Sequence, residues 1–187
     1  MNLRRSDRVF FTGFMGCGKS TVAPLLAGEL GLGCFDIDDE IERQTGKSVS
    51  RIFGLDGEAY FRRVEREVLF GTADRRSVVV ALGGGTITNE ENFAFVKSAG
   101  LLVWLRVDFE TLFARLRTKT DRPLLAPGSG RGSGEEKLRE TMLRLLAERE
   151  PFYRRADIVC TPGSDDPGTT AARIATNITA IVGARRS

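Results

Sequence analysis

The sequence contains no histidine. That absence excludes a histidine-based zinc site, a Ser-His-Asp triad and a histidine general base. It holds three cysteines, Cys17, Cys34 and Cys160, with no CxxC pair between them. Cysteines so sparse and unpatterned point to a reducing compartment and a cytoplasmic protein rather than a disulfide framework. Long hydrophobic runs are also missing. The longest, at 78–82 and 101–105, are far too short to span a bilayer. The basic N-terminal stretch around Arg4, Arg5, Asp7 and Arg8 lacks the length and cleavage site of a signal peptide. No internal repeat is visible. No helix-turn-helix, zinc-finger or RNP-type aromatic pattern supports a nucleic-acid partner.

What is present is ordinary for a globular chain: 187 residues, 41% hydrophobic and 28% charged. That length suggests one domain built on one main core, over 1–187. The net charge of +3 suits either an anionic small-molecule partner or a solvated basic surface.

Short β-rich runs alternate with longer helical stretches. Strands are predicted at 9–12, 34–37, 78–82, 101–107 and 158–160. Helices are predicted at about 19–30, 56–72, from the cap Asn89 to Lys97, from the cap Asp108 to Leu116, and at 135–150 and 169–182. In the 56–72 segment Phe61, Val64 and Val68 share one face. Pro151 is expected to end its helix. The continuous apolar run at 78–82 suits a strand buried on both faces of a parallel sheet. The whole predicts a three-layer α/β/α fold with a central parallel sheet of about five strands and helices on both faces. The core covers 8–117 and 135–183. The Gly/Pro/Ser-rich segment 118–134, which carries Arg122 and Arg131, reads as a flexible lid or insert.

Gly13-Phe14-Met15-Gly16-Cys17-Gly18-Lys19-Ser20 matches the phosphate-binding pattern G-x-x-x-x-G-K-[ST] between a predicted strand and a predicted helix. Glycines allow a tight turn that aims backbone N–H groups at phosphate oxygens, and a helix N-terminus adds partial positive charge there. Lys19 is a mobile point charge that reaches the β- and γ-phosphates. The Ser20 hydroxyl is a hard oxygen ligand for Mg²⁺. The pattern predicts ATP–Mg²⁺ binding. Cys17 reads as a small filler between glycines.

Downstream residues suggest an acceptor side at about 36–65. Asp36 and Asp38 would share a face if the second strand continued through them, at the carboxyl-end crevice where ligands bind in open α/β sheets. One carboxylate could hold the water shell of Mg²⁺ and the other accept a hydroxyl proton. Capping of a helix by Asp38 or Asp39 is the alternative use. Arg62 and Glu65 are helical neighbours at i, i+3, which also describes a surface ion pair. Arg149 ends another helix, where a cation also suits the helix C-terminus. Gly83-Gly84-Gly85 after a buried strand suggests close backbone approach by a ligand, or a plain turn.

Together the stretches GFMGCGKST, FDIDDEIE, DGEAYFRRVE, ALGGGT, DRPLL and REPFYRRA resemble the shikimate kinase family closely, in its order and over most of the chain. The phosphate loop is shared by many NTPases. The order D-x-D, F-R-x-x-E, G-G-G, R-P-L-L, R-x-P-x-Y is far more specific. The resemblance implies ATP-dependent phosphorylation of the 3-hydroxyl of shikimate. It implies that Asp38 contacts the ring hydroxyls as candidate base, and that Asp36 and Ser20 serve Mg²⁺. Arg62 and Arg149 would clamp the shikimate carboxylate, with Glu65 orienting Arg62 and Gly83, Gly84 and Gly85 touching the substrate. Gly13, Gly16, Cys17, Gly18, Lys19, Ser20 and Thr21 would cradle the nucleotide. Arg117 resembles the adenine-stacking arginine, at a shorter spacing from the lid residue Arg122, which would neutralise transferring charge. The implied partners are ATP and shikimate, with a monomeric enzyme and neither nucleic acid nor membrane. The alternatives are a gluconate-kinase-like enzyme and a nucleotide-binding regulatory module without catalysis.

Overall fold

The computed structural model describes residues 8–117 and 134–184. Five strands form one parallel sheet: β1 (Arg8–Thr12), β2 (Gly33–Asp36), β3 (Val78–Ala81), β4 (Leu101–Leu105) and β5 (Ile158–Cys160). Their spatial order is β2-β3-β1-β4-β5. The central strands are apolar on both faces, and Phe10, Val79, Val80, Leu102 and Val103 are fully buried. Such strands belong under helices on both sides.

The chain winds outward from β1 in two directions. From β1 it crosses to β2 through α1 (Lys19–Leu30). It then returns across the sheet through α2 (Ile37–Thr45), α3 (Val49–Leu55) and α4 (Gly57–Gly71) to β3, through α5 (Glu90–Ala99) to β4, and through α6 (Phe109–Leu116) and α7 (Gly134–Tyr153) to β5. Right-handed crossovers place the outward and return connections on opposite faces. The final helix α8 (Pro167–Ala184) packs against α1. On the other face Phe10 meets Phe95 of α5 edge-on at 6.3 Å. The reversal of direction opens a crevice at the carboxyl ends of β1 and β3.

Three expectations change. Strand β2 stops at Asp36, whose side chain accepts from the Asp38 N–H at 2.9 Å and caps α2. Asp38 therefore stands in the first turn of a helix, not on a continuing strand. Local Asx capping ended the strand. Ile37, expected to end the strand, opens α2, and the stretch 38–55, for which no element is predicted, supplies the rest of α2 and the whole of α3, which is capped by Ser48. Pro151 does not end its helix, since α7 runs on to Tyr153. A proline this near the end forfeits its own N–H bond, and burial of Tyr153 against Trp104, at 5.7 Å between rings, holds the last turn. Most of the expected lid, 118–133 with Arg122 and Arg131, lies outside the described residues.

Candidate active site

The loop between β1 and α1 is shaped by three glycines at positive φ: 153° at Gly13, 79° at Gly16 and 105° at Gly18. A Cβ at Gly13 would lie 2.7 Å from the Leu105 carbonyl and 2.8 Å from Cys17 Sγ, so only glycine fits there. Helix α1 begins with no side-chain cap and no acidic residue in its first turn. The helices α2, α4, α5, α6 and α7 all carry acidic residues in theirs. The N-terminus of α1 thus keeps its partial positive charge for an external anion. Lys19 lies back over the loop, donating to the carbonyls of Gly13 at 2.7 Å and Phe14 at 3.2 Å.

A groove runs along this loop. Gly16, Cys17, Gly18, Lys19, Ser20 and Thr21 line it together with Asp36 and Asp38. Burial raises the Asp36 carboxyl above the usual carboxylate range; nearby Asp39 adds to this, while the N–H groups of Asp38 and Asp39 and the Lys19 charge oppose it. The far wall comes from the turn after β5, with Pro162, Gly163, Asp165 and Pro167, and from Arg115 of α6. The sequence reading missed these residues. The signal was the Pro/Gly-rich stretch TPGSDDPG at the carboxyl end of the last strand. Arg117, expected at the adenine, is not among the residues lining this groove. It is exposed, 3.8 Å from Glu135.

A second, smaller pocket adjoins the groove. It is lined by Asp38, Arg62, Glu65, Gly83, Gly84, Gly85 and Arg149, with Met15, Val49, Phe53 and Phe61 as its apolar wall. Met15, Asp38 and Gly84 belong to both cavities. Every acceptor-side residue singled out in the sequence, except the Asp36 of the groove, converges here from four elements. Glu65, 1% exposed, accepts from Arg62 at 2.8 Å with one oxygen and from the Thr86 hydroxyl at 2.6 Å with the other. The Glu58 carboxylate holds the other side of Arg62 at 3.1 Å. Arg149 is 5% exposed, stacked near Phe14 with 5.6 Å to the ring centre. No carboxylate lies within 4 Å of it among the described residues. One helical turn on, the Tyr153 hydroxyl bonds the Gly84 carbonyl and meets the Arg149 side chain. Burial raises the Tyr153 hydroxyl above its ordinary value, so it remains a donor.

The glycine triplet touches this machinery directly. A Cβ at Gly83 would fall 2.8 Å from a Glu65 carboxylate oxygen and 3.2 Å from one of Asp38. One at Gly84 would reach Arg149 at 3.1 Å, and one at Gly85 would reach Arg62 at 2.9 Å. The backbone here passes within contact of two guanidinium groups of the protein itself.

Comparison with known proteins identifies the family. The family model described as shikimate kinase matches residues 15–181. The chain belongs to the shikimate kinase family. Among its relatives, shikimate kinase of Chlorobaculum parvum is 39% identical over 176 residues, covering 94% of each chain. That of Chlorobaculum tepidum is 41% identical, covering 94% of this chain and 92% of the relative. Among solved structures, shikimate kinase from Acinetobacter baumannii in complex with shikimate superposes with a TM-score of 0.81 at 33% identity, covering 96% of this chain and 94% of that one. The enzyme from Bacteroides thetaiotaomicron gives 0.80 at 32%, covering 92% and 98%. Membership in the shikimate kinase family makes the chain an ATP-dependent kinase.

Proposed function

We propose that this kinase transfers the γ-phosphoryl group of ATP to the 3-hydroxyl of shikimate, giving shikimate 3-phosphate and ADP, with the acceptor in the smaller pocket and the nucleotide in the groove. The observation that carries the acceptor side is Arg149. A buried guanidinium with no carboxylate partner among the described residues is unfavourable unless an anion completes it. Arg62 faces the same pocket, and two planar forks suit one carboxylate. The A. baumannii relative solved with shikimate supports that acid as the occupant.

Asp38 lies where pocket and groove meet. A ring hydroxyl placed there faces the terminal phosphate. Its oxygen forms the new P–O bond as the bond to the ADP oxygen breaks, and the hydroxyl proton passes to the Asp38 carboxylate. Lys19, the loop N–H groups and the uncapped α1 terminus hold the phosphates and the charge that moves between them. Ser20 and Asp36 present hard oxygens on one wall of the groove, and the Asp36 carboxyl, partly desolvated, gains from a nearby cation. They fit Mg²⁺ that keeps most of its water. When bound, the ion supplies neutralisation of phosphate charge. Three free cysteines support a reducing, cytoplasmic setting, and we take the working unit to be the monomer.

The deciding experiment measures ADP release from Mg²⁺-ATP with shikimate, with gluconate and with no acceptor. Release should rise only with shikimate. Equal release in all three would sink the kinase assignment, and a response to gluconate alone would sink the acceptor assignment.

A further inference from the structure

The two oxygens of the Glu65 carboxylate have different partners. Oε2 accepts from Arg62 Nη1 at 2.8 Å, and Oε1 accepts from the Thr86 hydroxyl at 2.6 Å. Thr86 is fully buried, and its backbone is held at both ends. Its N–H donates to the Gly83 carbonyl at 3.2 Å, and its carbonyl accepts from the buried Asn92 side chain of α5 at 2.8 Å. Two residues on, the Thr88 hydroxyl donates to the Gly85 carbonyl at 2.8 Å. The short 3₁₀ segment Thr86–Thr88 thus ties the glycine triplet to α5 and aims one hydroxyl at Glu65.

A guanidinium carries five N–H donors in a rigid fork. In Arg62 the Nε–H and one Nη2–H go to Glu58, at 3.2 and 3.1 Å, and one Nη1–H goes to Glu65. Each terminal nitrogen therefore keeps one N–H without a protein acceptor among the described residues. Two such donors side by side are what a carboxylate takes bidentately. Glu65 is itself a carboxylate in contact with Arg62, and a two-point pairing between them would use up that fork. Thr86 opposes this by occupying Oε1. Without the hydroxyl, Oε1 would be a buried acceptor with no donor, and turning toward a free Arg62 N–H would satisfy it. It would also stand unscreened beside Asp38. A Cβ at Gly83 would lie 2.8 Å from that Glu65 oxygen and 3.2 Å from an Asp38 oxygen.

We propose that Thr86 is a positioning residue for the acceptor: its hydroxyl limits Glu65 to a one-point grip on Arg62 and so leaves the Arg62 fork open to the carboxylate of the ligand. This rests on the reading of the smaller pocket as the acceptor site. Thr86 is not among the residues lining that pocket, and it acts only through Glu65. Through Asn92 it gives α5 a part in acceptor binding.

The test uses the full chain with Thr86→Val, Thr86→Ala and Thr86→Ser, each alone and combined with Arg62→Lys. Titration calorimetry with shikimate reads acceptor binding without turnover, and steady-state rates give both KM values. Thr86→Val, which exchanges the hydroxyl for a methyl, should weaken shikimate binding and raise its KM by about five- to thirtyfold, the scale of one charge-assisted contact. The ATP KM should stay within about twofold, because the nucleotide groove shares no partner with Thr86. Thr86→Ser restores the donor and should recover most of the loss. In the Arg62→Lys background the Thr86→Val penalty should vanish, since an ammonium has no fork to protect. If Thr86→Val does not fold, Thr86→Ala carries the same cycle. Unchanged shikimate binding in a folded Thr86→Val or Thr86→Ala, against a wild type that binds, would overturn the proposal and leave the acceptor site intact. A penalty that persists in full beside Arg62→Lys, or that Thr86→Ser does not relieve, would reduce Thr86 to a packing role. A wild type that binds no shikimate would sink the acceptor-site reading itself, and the proposal with it.

Discussion

Glu65 holds Arg62 at 2.8 Å from a position 1% exposed. The carboxylate is deep in α4, while the guanidinium it holds is about a third exposed toward the acceptor pocket. A buried acid thus fixes the direction of a cation that lines the proposed acceptor pocket. Glu65→Ala should leave Arg62 to Glu58 alone and the Thr86 hydroxyl without its acceptor. Loss of about 1–3 kcal/mol of stability is expected from the orphaned buried groups. The KM for shikimate should rise more than that for ATP. Denaturant unfolding and two-substrate kinetics measure both, and a selective rise in the ATP KM would refute the clamp.

The proposed role of Arg149 sets function against stability. Arg149→Met removes a desolvated charge and keeps most of the buried stem. The thermal midpoint should hold or increase, while kcat/KM for shikimate falls by about a hundredfold or more, as expected for losing a buried charged contact of roughly 3 kcal/mol. A variant that is both unstable and fully active would contradict the assignment of Arg149 to an anionic ligand.

Asp38→Asn and Lys19→Met separate the two cavities. Asp38→Asn should lower kcat by at least about a hundredfold, the usual contribution of a positioned acid or base, with Mg²⁺-ADP binding preserved in calorimetry. Lys19→Met should abolish turnover and weaken the nucleotide. Unchanged turnover in the first variant would remove Asp38 as proton acceptor and hydroxyl anchor alike.

Asp36 carries a pH signature. Its folded carboxyl titrates above the unfolded one, chiefly through burial and then Asp39. The protonated form is therefore favoured in the fold. The stability this contributes is full below the unfolded carboxylate range and is lost as pH rises through the raised folded value. Asp36→Asn, which keeps a competent helix cap, should raise the thermal midpoint at pH 7 and flatten that dependence. It should also increase the Mg²⁺ concentration needed for half-maximal rate. A lower midpoint at pH 7 together with an unchanged Mg²⁺ requirement would refute both parts.

Much of this was legible in one dimension. The glycine spacing and the following lysine are a local pattern, because a phosphate cradle is made of consecutive backbone groups. Apolar runs such as 78–82 marked the sheet, since a strand buried on both faces has no polar alternative. The pair Arg62 and Glu65 was visible as a helical i, i+3 step. The Asp36 cap was harder: D-x-D on a strand and D-x-D at a helix start look alike, and Asx hydrogen bonding to the Asp38 N–H decided between them.

The sequence by itself determined the phosphate loop, the alternation of strands and helices, and the residue types that an anionic acceptor needs. The tertiary structure decided which of those residues meet. It buried Arg149 beside Phe14 and placed no carboxylate within reach among the described residues, the observation on which the proposed anion clamp rests. It put Asp38 on the boundary of two cavities. It also brought Arg115 against the loop in place of the more suggestive Arg117. The physical reason is common to all three: the energy of a charge depends on burial and on neighbours distant in sequence, and only packing sets those.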